Sequence, residues 1–337
     1  MLKLVLGRAG SGKTSYAIEL FRSNMAAGAE HLYFIVPEQY SHDAERQLLT
    51  ICGDRLSLFG EVLSFSRLCS RVFAELGGIG VKNLDGGGRL LLMSRAVSSV
   101  SGRLGIYGGA AQTPEFLGKL VALSKEFKSA CLTPEKLEEA ALVSESPLKE
   151  KLSDLSLILG AYDAHFTRET ANPDDRLDRL VLNIRESRLF DTGRIYFDGF
   201  VDFTAQELRV VEALLKKDAD MTVCLTCGGL GENEEIFEPS RRTALTLLRL
   251  AAENGVGTET VVLDNTSRGK AEALCFLEQN LFTYGTETYA GDGGAVRVIA
   301  APSPAAEVEA AAATVLDLLK QGYRLRDIAV AVCDWEA

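Results

Sequence analysis

The sequence predicts an α/β protein, a parallel sheet core interrupted by an all-helical insert, and three observations carry that prediction. Apolar runs of strand length alternate with helical periodicity over the first residues; strand signals vanish from about Gly80 to Leu189 while helical segments follow one another; and the alternation resumes at Arg194. Alternation of this kind implies parallel strands with helices on both faces. The expected organisation is a core of residues 1–80 and 190–284, an insert of residues 81–189, and the beginning of a second, truncated α/β domain over 295–337.

Leu2 to Leu6 is an apolar run ending at Gly7, and Lys13 to Met25 carries apolar residues at helical spacing. The order is strand, glycine loop, helix. His31 to Val36 reads as a second strand stopped by Pro37, with a helix from about Ser41 to Leu49. The insert helices are expected at Gly88 to Val100, Thr113 to Ala130, Thr133 to Val143, Leu148 to Thr170 and Asp174 to Arg188. Two open on Thr-Pro, at Thr113 and Thr133, which suits an N-cap followed by proline at the first helical position. Strand Arg194 to Phe197 follows, then a helix opened by the capping box Thr204 to Glu207, strand Met221 to Leu225, and a helix from Arg241 to Glu253. Strand Val296 to Ala300, a helix from Pro304 to Lys320 capped by Ser303, and strand Ile328 to Val332 make up the third block. A domain ending so soon after its second strand is too small to close a core, so the natural polypeptide is expected to continue past Ala337.

Of the 337 residues, 47% are hydrophobic and 25% charged, the balance of a folded globular chain. Asp and Glu outnumber Lys and Arg by 47 to 36, a net charge of -11, which excludes a whole-surface grip on nucleic acid. Any polyanion must meet a local basic groove. The seven cysteines are odd in number and widely spread, unlike a disulfide framework, and no apolar run approaches the roughly 18 residues of a membrane span. A cytoplasmic protein without membrane contact is expected.

Gly7-Arg-Ala-Gly-Ser-Gly-Lys-Thr14 matches the phosphate-loop pattern of two glycines four residues apart followed by Lys and Thr, and it stands between a strand and a helix as that motif requires. The loop residues Gly7, Arg8, Ala9, Gly10, Ser11 and Gly12 can turn successive amides toward phosphate oxygens. Lys13 then reaches the β and γ phosphates, and the Thr14 hydroxyl binds Mg²⁺. The fold class is therefore a P-loop NTPase, with ATP and Mg²⁺ as cofactors. Asp198, at the C-terminal end of the strand Arg194 to Phe197, is either the second Mg²⁺-shell residue or an ordinary turn Asp before Gly199. Hydrolytic P-loop motors usually place a Glu next, where this chain has Gly199, so no catalytic base is assigned and hydrolysis is expected to be poor.

Four stretches in order resemble a family. They are Leu4-Val-Leu-Gly-Arg-Ala-Gly-Ser-Gly-Lys-Thr14, Phe34-Ile-Val-Pro-Glu-Gln39, Val62-Leu-Ser-Phe-Ser-Arg-Leu-Cys69, and Ile195-Tyr-Phe-Asp-Gly-Phe200 with Thr204-Ala-Gln-Glu207. Together with the tail Gly322 to Val330, they are similar to the N-terminal part of the B subunits of bacterial AddAB ATP-dependent helicase/deoxyribonucleases, distant superfamily 1 helicases. The resemblance implies a non-motor subunit that binds nucleotide, engages single-stranded DNA and recognises the Chi hotspot in recombinational repair of double-strand breaks, beside a translocating AddA-type partner. It also implies that the nuclease and its iron-sulfur cluster lie in a C-terminal region outside this chain. Against the helicase pattern Asp-Glu-Phe-Gln-Asp, this chain reads Asp198-Gly-Phe-Val-Asp202, and with the first strand starting at residue 2 an adenine-reading Gln segment is not expected.

The segment Ser64, Phe65, Ser66, Arg67 and Arg71 corresponds to one that touches single-stranded DNA in helicases. It reads equally as an amphipathic helix with Phe65 and Leu68 in the core. Lys119, Lys125 and Lys128 share one insert helix and suit either DNA or solvent. Cys224-Leu-Thr-Cys227 lacks a second pair at metal-ligand spacing and reads as core. The rival function from another class is a stand-alone P-loop kinase or ATPase with a helical substrate lid; a third is a nucleotide-stabilised interaction module with no DNA contact.

Overall fold

Leu2, Leu4 and Leu6 lie in one buried cluster and Val5 in another, so the first strand is covered on both faces. The computed structural model describes residues 1–77, 82–109, 113–166, 170–231, 235–264, 271–281, 285 and 287–333. The chain divides into two units, Met1–Arg268 and Gly269–Ala337.

In the first unit, β1 (Leu2–Gly7) leads into α1 (Lys13–Ala26), then β2 (Leu32–Ile35), α2 (Ser41–Cys52), the single-turn α3 (Leu56–Phe59), β3 (Gly60–Leu63) and α4 (Phe65–Glu75). The chain next makes β4 (Lys82–Asn83), the four helices α5 (Gly86–Val100), α6 (Pro114–Ser129), α7 (Pro134–Leu142) and α8 (Leu148–Asp163), and β5 (Thr170–Ala171). It returns through α9 (Arg176–Ile184) to β6 (Arg194–Phe197), α10 (Ala205–Lys216), β7 (Asp220–Leu225), α11 (Glu238–Glu253) and β8 (Thr258–Leu263). Six strands pair in parallel in the order β3-β2-β6-β7-β1-β8, while β4 and β5 form a separate parallel pair. One strand, β7, therefore separates β1 from β6.

The sheet is packed on both faces. Ala17, Ile18 and Phe21 of α1 with Leu48 of α2 cover one face, and apolar residues of α4, α9, α10 and α11 cover the other. The four helices α5 to α8 bury a third cluster around Met93, Leu120, Ile158 and Tyr162, which contains no residue of the sheet. Both Thr-Pro starts cap as expected: the side chains of Thr113 and Thr133 accept from the amides of Phe116 and Lys136. Helix α8 ends at Asp163 instead of running on to Thr170, which pairs in β5.

Four strands escaped the sequence reading, and two of them, the two-residue β4 and β5, lie in the run expected to be all-helical. β3 is only four residues long, and β8 alternates Thr, Glu and Val on an edge that is largely exposed; partners β2 and β1 define them as strands. In the second unit the described residues form α12 (Glu272–Asn280) and α13 (Pro304–Lys320). Of the α/β block expected from residue 295, the helix forms but the strands do not: Val296 to Ala300 and Ile328 to Val332 are irregular, with Val298 91% and Val330 60% exposed. A parallel strand satisfies its amides and carbonyls on a neighbour, and the described residues of this unit supply none. The boundaries expected at residues 80/81 and at 284, and the last four residues of the third block, lie outside the described residues.

Candidate functional site

The turn between β1 and α1 needs glycine. Gly10 and Gly12 hold φ of 83° and 95°, a left-handed conformation that a side chain disfavours, and Gly12 is the residue on which α1 starts. At Gly7 an added Cβ would stand 2.2 Å from the Ser11 hydroxyl oxygen and 2.9 Å from the Leu263 carbonyl oxygen. The curled loop ends on the first turn of α1, whose free amides favour an anion. Lys13 bends back over it, its Nζ donating to the carbonyls of Gly7 at 2.7 Å and Arg8 at 3.0 Å. Arg8 lies over the ring of Phe237, 5.3 Å from its centroid, and Ala9 is exposed at the turn. The Ser11 hydroxyl is buried without a hydrogen-bond partner.

Parallel pairing brings the end of β6 alongside this turn. Thr14 Oγ1 donates to Asp198 Oδ2 at 2.8 Å, across 184 residues of sequence. Asp198 is 8% exposed, and its amide donates to the Ile35 carbonyl at 3.0 Å. Burial raises its carboxyl pKa above the usual range, against the opposing pull of the Thr14 and Cys224 hydrogen bonds and the Lys13 charge. Cys224, next to Asp198 on β7, donates its thiol to the Lys13 carbonyl at 3.7 Å, and burial pushes that thiol well above its ordinary pKa. Sequence reasoning treated Cys224 as core only. Its place beside the loop follows from strand register, for which the sequence has no signal. Cys227 belongs to the cluster on the opposite face of the sheet, so the pair does not act as one motif. Among the described residues no three His, Cys, Asp or Glu are grouped to hold a metal ion.

Gly199 has φ of 80°, and a Cβ there would meet Pro37 Cδ at 3.4 Å and Tyr40 Cδ2 at 3.6 Å. Those are ordinary contacts, so a glutamate at this position would be strained by the backbone conformation and not by lack of space. Beside Gly199 opens a cleft of about 600 Å³. Glu38, Gln39 and Tyr40 wall it on one side, Ser64 and Ser66 on another, and Lys125 of α6 with Asp174, Arg176 and Gln206 close the rest. Glu38, Asp174, Asp202 and Glu207 give it more carboxylates than its two cations, Lys125 and Arg176.

The sequence-derived DNA candidates divide. Ser64 is buried as the N-cap of α4, accepting from the Arg67 amide at 3.3 Å. Phe65 is 7% exposed, its ring packs on Phe197, Phe200 and Phe203, and it lines the cleft. Ser66 is exposed at the cleft, Arg67 lies 3.9 Å from Glu45, and Arg71 pairs with Glu61 at 2.9 Å. Of the three lysines on α6, Lys119 pairs with Glu115 and Lys128 with Asp163 and Asp175, while Lys125 lines the cleft. Asp174, Arg176 and Gln206 were missed because they reach the cleft only through the chain's return from the insert.

A glycine turn, a lysine and a hydroxyl-carboxylate pair gathered at the C-terminal ends of parallel strands define an α/β protein with a candidate oxyanion and divalent-cation site. The chain belongs to the family described as ADDB, N-terminal, whose model matches residues 4–278. It is 33% identical over 341 residues to the B subunit of the ATP-dependent helicase/deoxyribonuclease of Acetivibrio thermocellus, covering 98% of this chain and 30% of that protein. The protein of the same description from Desulforudis audaxviator is 35% identical over 345 residues, with 98% and 30% covered. This chain thus spans 30% of the length of these relatives. No described helix is long and apolar enough to cross a membrane.

Proposed function

We propose that this chain is the nucleotide-binding, single-strand-engaging N-terminal part of the non-motor component of a cytoplasmic helicase/deoxyribonuclease complex that acts in recombinational repair. The observation that carries the reading is the 2.8 Å contact between Thr14 and Asp198 beside the Lys13 loop. Its residues fit MgATP. The loop and α1 amides would hold phosphate oxygens, the orphaned Ser11 hydroxyl is an unspent donor inside the same turn, and Thr14 with Asp198 would hold the metal. Two protein oxygens suffice there, because Mg²⁺ usually completes its octahedron with waters and phosphates. Bound MgATP would supply charge and binding energy at this site. With Gly199 where a base would stand, we read the fold as a P-loop, superfamily 1 helicase-like core that binds nucleotide and hydrolyses it poorly.

The cleft beside Gly199 is the proposed path of single-stranded DNA, although it is not the basic groove that the chain's net charge predicts. Its net acidic lining favours contact through Gln39, Tyr40, Ser66 and Gln206 over a grip on phosphates, so affinity should depend only shallowly on salt. Recognition of Chi and an AddA-type motor partner extend the reading by family.

Lys13→Ala tests the core of the proposal. Fluorescent ATP titration should show affinity falling at least tenfold with an unchanged circular-dichroism melt, while oligonucleotide retention on filters persists. Unchanged nucleotide affinity removes the site. Transfer of phosphate to a small molecule by the wild-type chain would favour the kinase reading instead.

A further inference from the structure

The sheet core and the helices α5 to α8 do not share an apolar cluster. Ionic ties converge on the segment between them. Arg89 of α5 pairs with Asp174, both largely buried at 16% and 10% side-chain exposure. Lys128 of α6 takes Asp175 of the segment at 2.8 Å and, within the insert, Asp163 of α8 at 3.0 Å. From the core side, Gln206 of α10 donates to the Asp174 carbonyl at 3.1 Å and to Asp178 Oδ2 at 2.8 Å, and Arg209 pairs with Asp178 at 2.5 Å. Arg176 reaches across to α4, donating to Ser70 Oγ at 2.9 Å. The same segment contributes Pro173, Asp174 and Arg176 to the cleft wall.

Such a junction differs physically from a packed one. Opening an apolar contact exposes surface to water at a cost, whereas opening buried ion pairs returns their charges to water, which offsets most of the lost attraction. The groups show that tension: burial raises the carboxyls of Asp163 and Asp174 above the usual range despite their cations. Burial would lower the Lys128 pKa, but Asp175 and Asp163 outweigh it and raise the pKa instead.

We propose that residues 172–178 are a charge-clasped hinge: Arg89 and Lys128 hold the helical insert closed over the cleft, and release of that clasp admits the strand. The identity of the strand rests on the reading under Proposed function; the hinge does not. Lys128→Met keeps the aliphatic stem and removes the charge, and Asp175→Asn removes one carboxylate while leaving the Lys128 contact with Asp163. Hydrogen exchange followed by mass spectrometry on the full chain should show amides near the end of α6 and the start of α9 exchanging at least tenfold faster in Lys128→Met. The increase should be as large in Asp175→Asn, which removes the one Lys128 contact that reaches the segment, with β1 and β6 unchanged. Stopped-flow association with a fluorescent oligo(dT) should quicken severalfold in both variants.

Exchange identical to wild type in both variants overturns the hinge. So does a uniform rise across the whole chain in both, which would make the segment part of one global fold. Local acceleration in a chain whose wild type binds no oligonucleotide upholds the hinge and removes the DNA reading of the cleft.

Discussion

Asp198 sits where its charge is costly. Burial outweighs the Thr14 hydroxyl, the Cys224 thiol and the Lys13 charge, so its folded pKa stands above its unfolded value. For an acid this sign means that ionisation opposes folding above the folded pKa, and that the penalty fades as pH falls through it. Asp198→Asn keeps an oxygen to accept from Thr14 and removes the charge. Calorimetry at pH 7 should therefore show a melting temperature a few degrees higher than wild type, with the gap narrowing as pH falls through the folded pKa. The Mg²⁺-dependent part of ATP affinity should disappear in the same variant. A lower melting temperature would mean that the carboxylate is satisfied as it stands. Stability given up at a site is a usual mark of function. The loop was legible in the sequence because six consecutive residues and their flanks encode it locally, and Asp198 because it ends a strand. That Thr14 meets Asp198 was not legible, since the contact depends on which strand lies between β1 and β6. The packing of Phe65 was not legible for the same reason: its partners Phe197, Phe200 and Phe203 arrive from far along the chain.

Caps were legible at the level of elements, because their chemistry is complete within four residues. Thr204 and Glu207 close the expected box, with the Thr204 amide donating to Glu207 at 2.8 Å and the Glu207 amide to Thr204 Oγ1 at 3.2 Å. Two contacts of consequence depend on this start. Gln206 and Arg209 lie just inside the same helix and hold the 172–178 segment. Thr204→Ala should cost about 1 kcal/mol, seen as a lower urea midpoint at unchanged slope. Because the loss frays the first turn, exchange at Asp178 and its neighbours should rise with it; a midpoint within error of wild type would show that the box adds nothing to this start. Strands were legible only where burial on both faces wrote an apolar run, as in β1, β2, β6 and β7. β3 and β8 lack that signature, while Val296 to Ala300 and Ile328 to Val332 carry it without a described neighbour to pair with. Strand character belongs to the pair, helix character mostly to the segment.

For the whole molecule, the helical run within an α/β pattern was legible because hydrophobic periodicity changes on entering it and changes back on leaving. How the insert attaches was not, since charged residues such as Arg89 and Lys128 look alike in sequence whether solvated or clasped. The separation of the clusters has a consequence for cooperativity. Met93 is fully buried in the insert cluster, and Met93→Ala removes a side chain whose loss in a core costs about 2–5 kcal/mol. If apolar packing alone set cooperativity, that loss would stay within α5 to α8, because no sheet residue shares the cluster. Hydrogen exchange should then show protection falling across those helices while β1, β6 and β7 keep theirs, and ATP affinity should hold because the Lys13 loop rests on the sheet clusters. A single melting transition carrying both regions down together would mean that the ionic junction at 172–178 transmits the full loss. In that case the junction is as strong as a packed core, and the insert could not open over the cleft without unfolding the sheet beneath it.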